Sequence, residues 1–272
     1  MCGFFLNGKA QSVWPSSEEE MRKEAMPLEA LPEVTPCYGI CVVKGHLVNG
    51  YQLPDSISLR YFMGKENTIA TGVDEKGDFR FHVPLARSCG AHLDNRCYLF
   101  LQPGDTTEVW LSQKSPLERT ERKVFVRGPL ASLVSDINNS RSQKDIIREH
   151  LSLENSDLLE YMIMEKTITD MLKTVANFDD TLPPLIMDEV LLVCKNPKVV
   201  YSRYFHDVLR VVSRYGIVTP KRLSQELRFY NVLSAFSRGE EFDNDAFSSL
   251  PEAYQQYFEN MNPTKRAATQ CE

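Results

Sequence analysis

From Ile40 onward the chain alternates apolar and polar residues with a period of two. Ile40 and Val42, then Gly45 and Leu47, form one run, and Ile57, Leu59, Tyr61 and Met63 alternate with Ser56, Ser58, Arg60 and Phe62 in the next. Successive side chains of a strand point to opposite faces, so this pattern predicts half-buried strands. The pairs Asn49-Gly50 and Pro54-Asp55 between the runs favour turns, because Gly and Asn tolerate positive φ and Pro fixes its own. Further strands are predicted over 68–73 and 78–83, joined as a tight hairpin by Asp74-Glu75-Lys76-Gly77. Strands over 97–102 and 106–111, joined by Pro103-Gly104-Asp105, and over 123–127 complete the series. Seven short strands with frequent turns predict an antiparallel β-sandwich.

At Gly128-Pro129 the period changes to that of a helix, with Leu130, Leu133, Val134 and Ile137 on one face. A helix capped at Asn155 or Ser156 is predicted to reach Val175, and another to run from Leu185 to Cys194. Asn196-Pro197 opens a third with the stripe Val200, Tyr204, Val208, Val211 and Val212. Thr219-Pro220 starts one that reaches Phe236, and a last helix spans 252–260. The pattern therefore predicts an α+β chain: a leader or tether over 1–36, a sandwich over 37–128, a helical domain over 129–262 and a polar tail over 263–272. The leader reading rests on Ser16-Ser17-Glu18-Glu19-Glu20 and on Pro27, Pro32 and Pro36, which leave little room for regular structure.

Composition narrows the function classes. With 42% hydrophobic and 25% charged residues the sequence belongs with ordinary folded proteins. A net charge of -6 argues against nucleic acid, and the nearest basic cluster, Lys114, Arg119, Arg122 and Lys123, is interrupted by Glu118 and Glu121. No window is long and apolar enough for a transmembrane segment. Met1 to Leu6, with Gly8 and Ala10 following, resembles the end of a secretory signal.

A search for chemistry finds little. No GxSxG, HExxH, Walker loop or GxGxxG occurs, so catalytic residues and cofactors are expected to be none. Asp179-Asp180 and Glu240-Glu241 read as solvated turn residues, and Asp243-Asn244-Asp245 lacks the glycine and distal Glu of a calcium loop. His46 and His206 belong to no metal-binding array, so no metal is expected. Among seven cysteines, Cys37 and Cys41 form a CxxxC that reads as structural and, more remotely, as a redox pair; Cys89 and Cys97 flank a short loop and are candidates for a disulfide.

Three stretches carry a resemblance. Val43-Lys44-Gly45-His46-Leu47 precedes Asp74-Glu75-Lys76-Gly77-Asp78-Phe79-Arg80-Phe81, a D-x-x-G-x-F-x-F pattern. Leu101-Gln102-Pro103-Gly104-Asp105-Thr106 and Phe125-Val126-Arg127-Gly128-Pro129-Leu130-Ala131 follow. The first resembles the transthyretin-like or carboxypeptidase-regulatory sandwich, and the order of all three resembles the N-terminal region of bacterial TlpA-like thiol-disulfide oxidoreductases. That resemblance implies a periplasmic or cell-envelope location and a thioredoxin domain following the helices, whose CxxC motif no position here matches. It implies a non-catalytic accessory module that presents a binding surface or positions a redox domain. The alternative is a stand-alone envelope protein that binds a peptide or glycan; a protein partner or a redox domain is the expected company.

Overall fold

The computed structural model describes residues 13–14, 17, 34–48, 53–94, 97–112, 124–128, 156–240 and 243–261. The predicted helix over 130–137, the basic cluster over 114–123, the signal-like start and the polar tail lie outside these residues. The described chain is α+β, with eight strands followed by helices. The strands are β1 (Gly39–Val48), β2 (Ser56–Met63), β3 (Lys65–Gly72), β4 (Asp78–Leu85), β5 (Cys89–Leu93), β6 (Cys97–Leu101), β7 (Thr106–Ser112) and β8 (Val124–Arg127). They form two four-stranded sheets, ordered β4-β1-β7-β8 and β3-β2-β5-β6. All pairs are antiparallel except β1 with β7, which is parallel.

The strand count exceeds the predicted seven because of β5. Its sequence, Cys-Gly-Ala-His-Leu, is short and carries a glycine, yet Cys89, Ala91 and Leu93 alternate inward as a strand requires. The phase of β1 also differs from the first apolar run. Cys41, Val43, Gly45 and Leu47 face the core, whereas Ile40 is 42% exposed. A shift of one residue exchanges the two faces of a strand, and the alternative phase would have buried Lys44 and His46.

The hairpin predicted at Asp74 to Gly77 is not one. β3 pairs with β2 in one sheet and β4 with β1 in the other, so Asp74 to Gly77 carries the chain between sheets. The Asp74 carboxylate accepts from the Lys76 and Asp78 backbone N–H groups at 2.8 and 2.9 Å, and Gly77 sits at φ +89°. Beyond the corner, the Phe79 ring covers Gly45 directly opposite, so closely that a β-carbon on Gly45 would overlap it. The D-x-x-G-x-F-x-F pattern is thus a structural corner, the Asp closing the turn and the first Phe filling the space that Gly45 leaves. Pro103-Gly104-Asp105 is a second inter-sheet corner, between β6 and β7, and the Asp105 carbonyl accepts from Val42 N–H.

The helices are α1 (Ser156–Val175), α2 (Pro184–Lys195), α3 (Phe205–Arg214), α4 (Lys221–Ser237), α5 (Asn244–Ser248) and α6 (Glu252–Met261), with a 3-10 turn over Pro197–Tyr201. The helix predicted from Asn196-Pro197 is divided in two. Asn196 caps the 3-10 turn through Lys198 N–H, and Ser202 is extended at ψ 138°, so α3 begins afresh at Phe205.

Two buried clusters join these elements. The first lies between the sheets, where Val43, Leu47, Phe81 and Val109 meet Leu59, Tyr61, Leu93 and Leu99; Phe229 and Leu233 of α4, and Tyr254, Tyr257 and Phe258 of α6, close one end of it. The second lies on the outer face of the β3-β2-β5-β6 sheet, where Tyr98 and Phe100 pack with α1, α2, α3 and the 3-10 turn. All five residues of β6 are buried for this reason: Cys97, Leu99 and Leu101 serve one cluster, and Tyr98 and Phe100 the other. Complete burial of Phe229, Leu233 and Phe258 stabilises the junction by about 1.5–3 kcal/mol each.

At this junction Arg87, between β4 and β5 and only 1% exposed, meets Glu226 of α4. Arg87 Nε donates to Glu226 Oε2 at 2.8 Å and Nη1 to the Ser88 carbonyl at 2.7 Å, while the Tyr254 hydroxyl donates to the other Glu226 oxygen. Burial alone disfavours the guanidinium charge, but the adjacent Glu226 outweighs it and raises the Arg87 pKa. Removing one partner strands a buried charge, so Glu226→Ala is expected to lower the unfolding free energy by about 3–5 kcal/mol in a denaturant titration. Arg87→Met with Glu226→Leu is expected to recover most of that loss. A double variant as unstable as the single one would show that the pair's net attraction, rather than the penalty of stranding a charge, dominates.

Candidate functional site

A cleft of about 500 Å³ opens where the outer face of the β3-β2-β5-β6 sheet meets the start of α3. The sheet contributes Arg60 and Phe62 from β2, Glu66 from β3, Gly90 and His92 from β5 and Tyr98 from β6. The helical side contributes Arg203, His206, Asp207 and Arg210, with Arg87 and Ser202 deeper. Both sides follow from local geometry. Arg60 and Phe62 occupy the positions of β2 that alternate with Leu59, Tyr61 and Met63, and Arg60 is the cross-strand partner of His92. His206, Asp207 and Arg210 fall on one face of α3, with Arg203 in the turn just before it, while Phe205, Val208, Leu209, Val211 and Val212 are buried.

Gly90 shapes the wall. A β-carbon there would come within 1.9 Å of the Tyr98 hydroxyl, which lies across the strand and donates to the Tyr201 carbonyl at 3.2 Å. The ring of His206 sits 4.5 Å from that of Phe62, and His92 meets Tyr98 edge-on at 5.1 Å.

Several cationic groups of the cleft are held by neighbours. Asp207 pairs with Arg210 at 2.8 Å. Glu165 of α1 accepts from the Arg203 backbone N–H at 3.2 Å and lies 3.7 Å from its guanidinium. Arg87 is held by Glu226 on one side and lies over the Phe205 ring at 5.1 Å. Its Nη2 nevertheless has no hydrogen-bond partner among the described residues, and neither does His206 Nδ1. An unmet buried donor costs about 1–3 kcal/mol, so Arg87 Nη2 marks where an acceptor fits, while His206 Nδ1 donates or accepts according to the ring's tautomer. Among the described residues, no carboxylate is within ion-pair distance of the half-buried Arg60.

The nucleophiles of the cleft are quenched. Burial pushes the Cys89 thiol up to about 12 although Arg87 opposes the shift, and burial also raises Tyr98 well above the ordinary phenol range. Ser202 Oγ accepts from Tyr204 N–H at 3.0 Å. No group of three His, Cys, Asp or Glu side chains that could hold a metal gathers among the described residues.

The cysteine pairs named from sequence do not come together. Cys89 is opposite Leu101 and Cys97 opposite Leu93, four positions apart on the β5-β6 ladder, or about 13 Å at the usual rise. A disulfide needs α-carbons within about 7 Å, so the two do not bridge; the Cys97 thiol donates to the Tyr98 carbonyl instead. Cys37 and Cys41 are separated by the same four positions along extended chain. Cys37 is exposed, whereas burial raises the Cys41 thiol to about 11, which is the opposite of a redox-active cysteine.

The histidines and paired acids also have definite places. His46 lies on the outer face of β1, against the Trp110 ring, with Nδ1 at 2.8 Å from Asp78 and Nε2 at 3.3 Å from Glu108. Asp243 caps α5 by accepting from Asp245 and Ala246 N–H groups, and Glu240 pairs with Arg238 at 2.7 Å. The Asp179 carbonyl accepts from Arg214. Of the residues singled out from sequence, His206 and Cys89 line the cleft. Arg60, Arg87, His92 and Arg203 were missed; the polar spacing from Arg203 to Arg210 is a signal for the helical side alone, and nothing in the strand pattern joins Arg60, Arg87 and His92 to it.

No protein-family model matches the sequence, and no curated protein matches it at a significant level.

Burial lowers the pKa of both His92 and His206 below 6.5, with Arg60 and Arg203 adding to the effect at His92. The unfolded chain then binds more protons than the folded one below that value, so stability falls as pH drops through it. The loss of thermal stability between about pH 7.5 and about pH 5.5 is expected to shrink in His92→Gln and His206→Gln; an unchanged slope would contradict the burial. Peptide-level thiol labelling of the folded protein should modify Cys37 and spare Cys41, Cys89 and Cys194, and rapid labelling of Cys89 would contradict the quenched cleft.

Proposed function

We propose that this chain is a non-catalytic ligand-binding module of the cell envelope, of the kind in which a transthyretin-like sandwich and a helical region precede the redox domain of TlpA-like proteins. Support for the architecture comes from the two inter-sheet corner motifs and from two four-stranded sheets sharing one core. The observation that carries the binding reading is the cleft. Its volume lies within the roughly 300–1,000 Å³ of small-molecule sites, and it combines an aromatic wall with a few convergent polar groups. Its thiol and phenol have pKa values pushed up, so the side chains suit holding a ligand rather than attacking one.

The test is a thermal-shift screen of the purified chain against small anionic, cationic and neutral compounds and short peptides, alongside an insulin-reduction assay. The reading expects at least one class to raise Tm, with the effect lost in Arg210→Trp at the cleft mouth, and insulin reduction no faster than buffer with dithiothreitol. Reductase activity above that background, or no stabilising class at all, would overturn it.

A further inference from the structure

We infer that the cleft takes an organic oxyanion, a phosphate ester or a carboxylate, whose apolar body lies against Phe62. This rests on the reading of the cleft as a binding site and adds the chemistry of the occupant. Three observations converge. The deepest polar group of the cleft is Arg87, 1% exposed, whose Nη2 lacks a partner although Nε and Nη1 are both engaged. Arg60 is half-buried, with no carboxylate of the described residues in ion-pair distance, on the same wall as His92. His206 Nδ1 is a second buried polar atom without a partner. A guanidinium only donates, so Arg87 Nη2 lacks an acceptor, and the His206 ring can supply a second donor in the tautomer that carries its proton on Nδ1.

Two guanidinium groups at one site select an acceptor with several oxygens and a negative charge, because the planar fork matches carboxylate and phosphate oxygens. The carboxylates that line the cleft do not meet this demand. Asp207 is committed to Arg210, and Glu66 is exposed. Glu226 holds Arg87 through Nε, and Nη2 is left without a hydrogen-bond partner among the described residues. Phe62, with His206 against it at 4.5 Å, supplies an apolar surface beside the charged groups, which a bare inorganic ion would leave uncovered.

Calorimetric titration with phenyl phosphate, benzoate and the neutral isostere benzamide tests this. At least one of the two anions is expected to bind at least about tenfold tighter than benzamide, as hydrogen bonds to a charged group are worth about that much. Phenyl phosphate ahead of benzoate identifies phosphate esters, and the reverse order identifies carboxylates. Arg60→Ala, checked for an unchanged Tm, is expected to weaken the anion about tenfold and leave benzamide unaffected. Benzamide binding as tightly as both anions, or Arg60→Ala without effect on them, would overturn the oxyanion assignment while leaving the cleft a binding site. Failure of all three probes, when the thermal-shift screen finds a cationic or neutral ligand, would do the same; failure of the screen as well removes the binding reading itself.

Discussion

The contact between Arg87 and Glu226 is the constraint on which the described structure turns. It joins the connection between β4 and β5 to α4, and through Tyr254 to α6, inside a region from which water is excluded. A charge in such a place persists only when it is paired and hydrogen-bonded, so the helices can approach the sheets in few other registers. Apolar packing at the same end sets the distance: Leu233 and Phe229 close over Gly64, whose turn a β-carbon would obstruct. Packing brings the layers together, and the ion pair selects their alignment.

That alignment creates the cleft. The sheet's outer face is covered by helices over Tyr98 and Phe100 but diverges from α3 near Arg60 and His92. The result is a wall of strand residues facing a polar helical side, with Arg87 held beneath it by Glu226. The same buried setting that orients the arginine suppresses Cys89 as a nucleophile.

Much of this was legible in the sequence, and the failures share a physical cause. Alternation in 56–63 identified β2 and its buried residues correctly, and the helices ending near Val175, Cys194 and Phe236 were placed within a residue or two. Turn residues marked the reversals after β1, β3 and β6 but not those at Gly64 or on either side of β5, and a reversal looks the same whether the chain stays in its sheet or crosses to the other. The inter-sheet corner at Asp74 to Gly77 therefore read as a hairpin. The start of β1 was assigned the wrong phase, although Gly45 and Leu47 were placed on the buried face, because Ile40 and Val42 are as apolar as Cys41 and Val43 and only the partner strand decides which pair is buried. The ion pair left a trace in Glu226, which interrupts an apolar stripe of Leu223, Phe229 and Leu233, but its partner is 139 residues away and periodicity cannot supply it. The cleft was invisible for the same reason, since half of it comes from strands and half from α3.

The central claim is that sheets and helices share their cores and unfold as one unit. Both tryptophans of the chain, Trp14 and Trp110, lie in or against the β8-β7 side of the sheets, so their fluorescence reports the strand layer while far-ultraviolet circular dichroism is dominated by the helices. Measured together through one urea titration, the two signals are expected to give the same midpoint and slope, as a single cooperative transition requires. Helical signal lost at lower urea, with tryptophan fluorescence still native, would contradict the account and make the helical region a separately folding attachment.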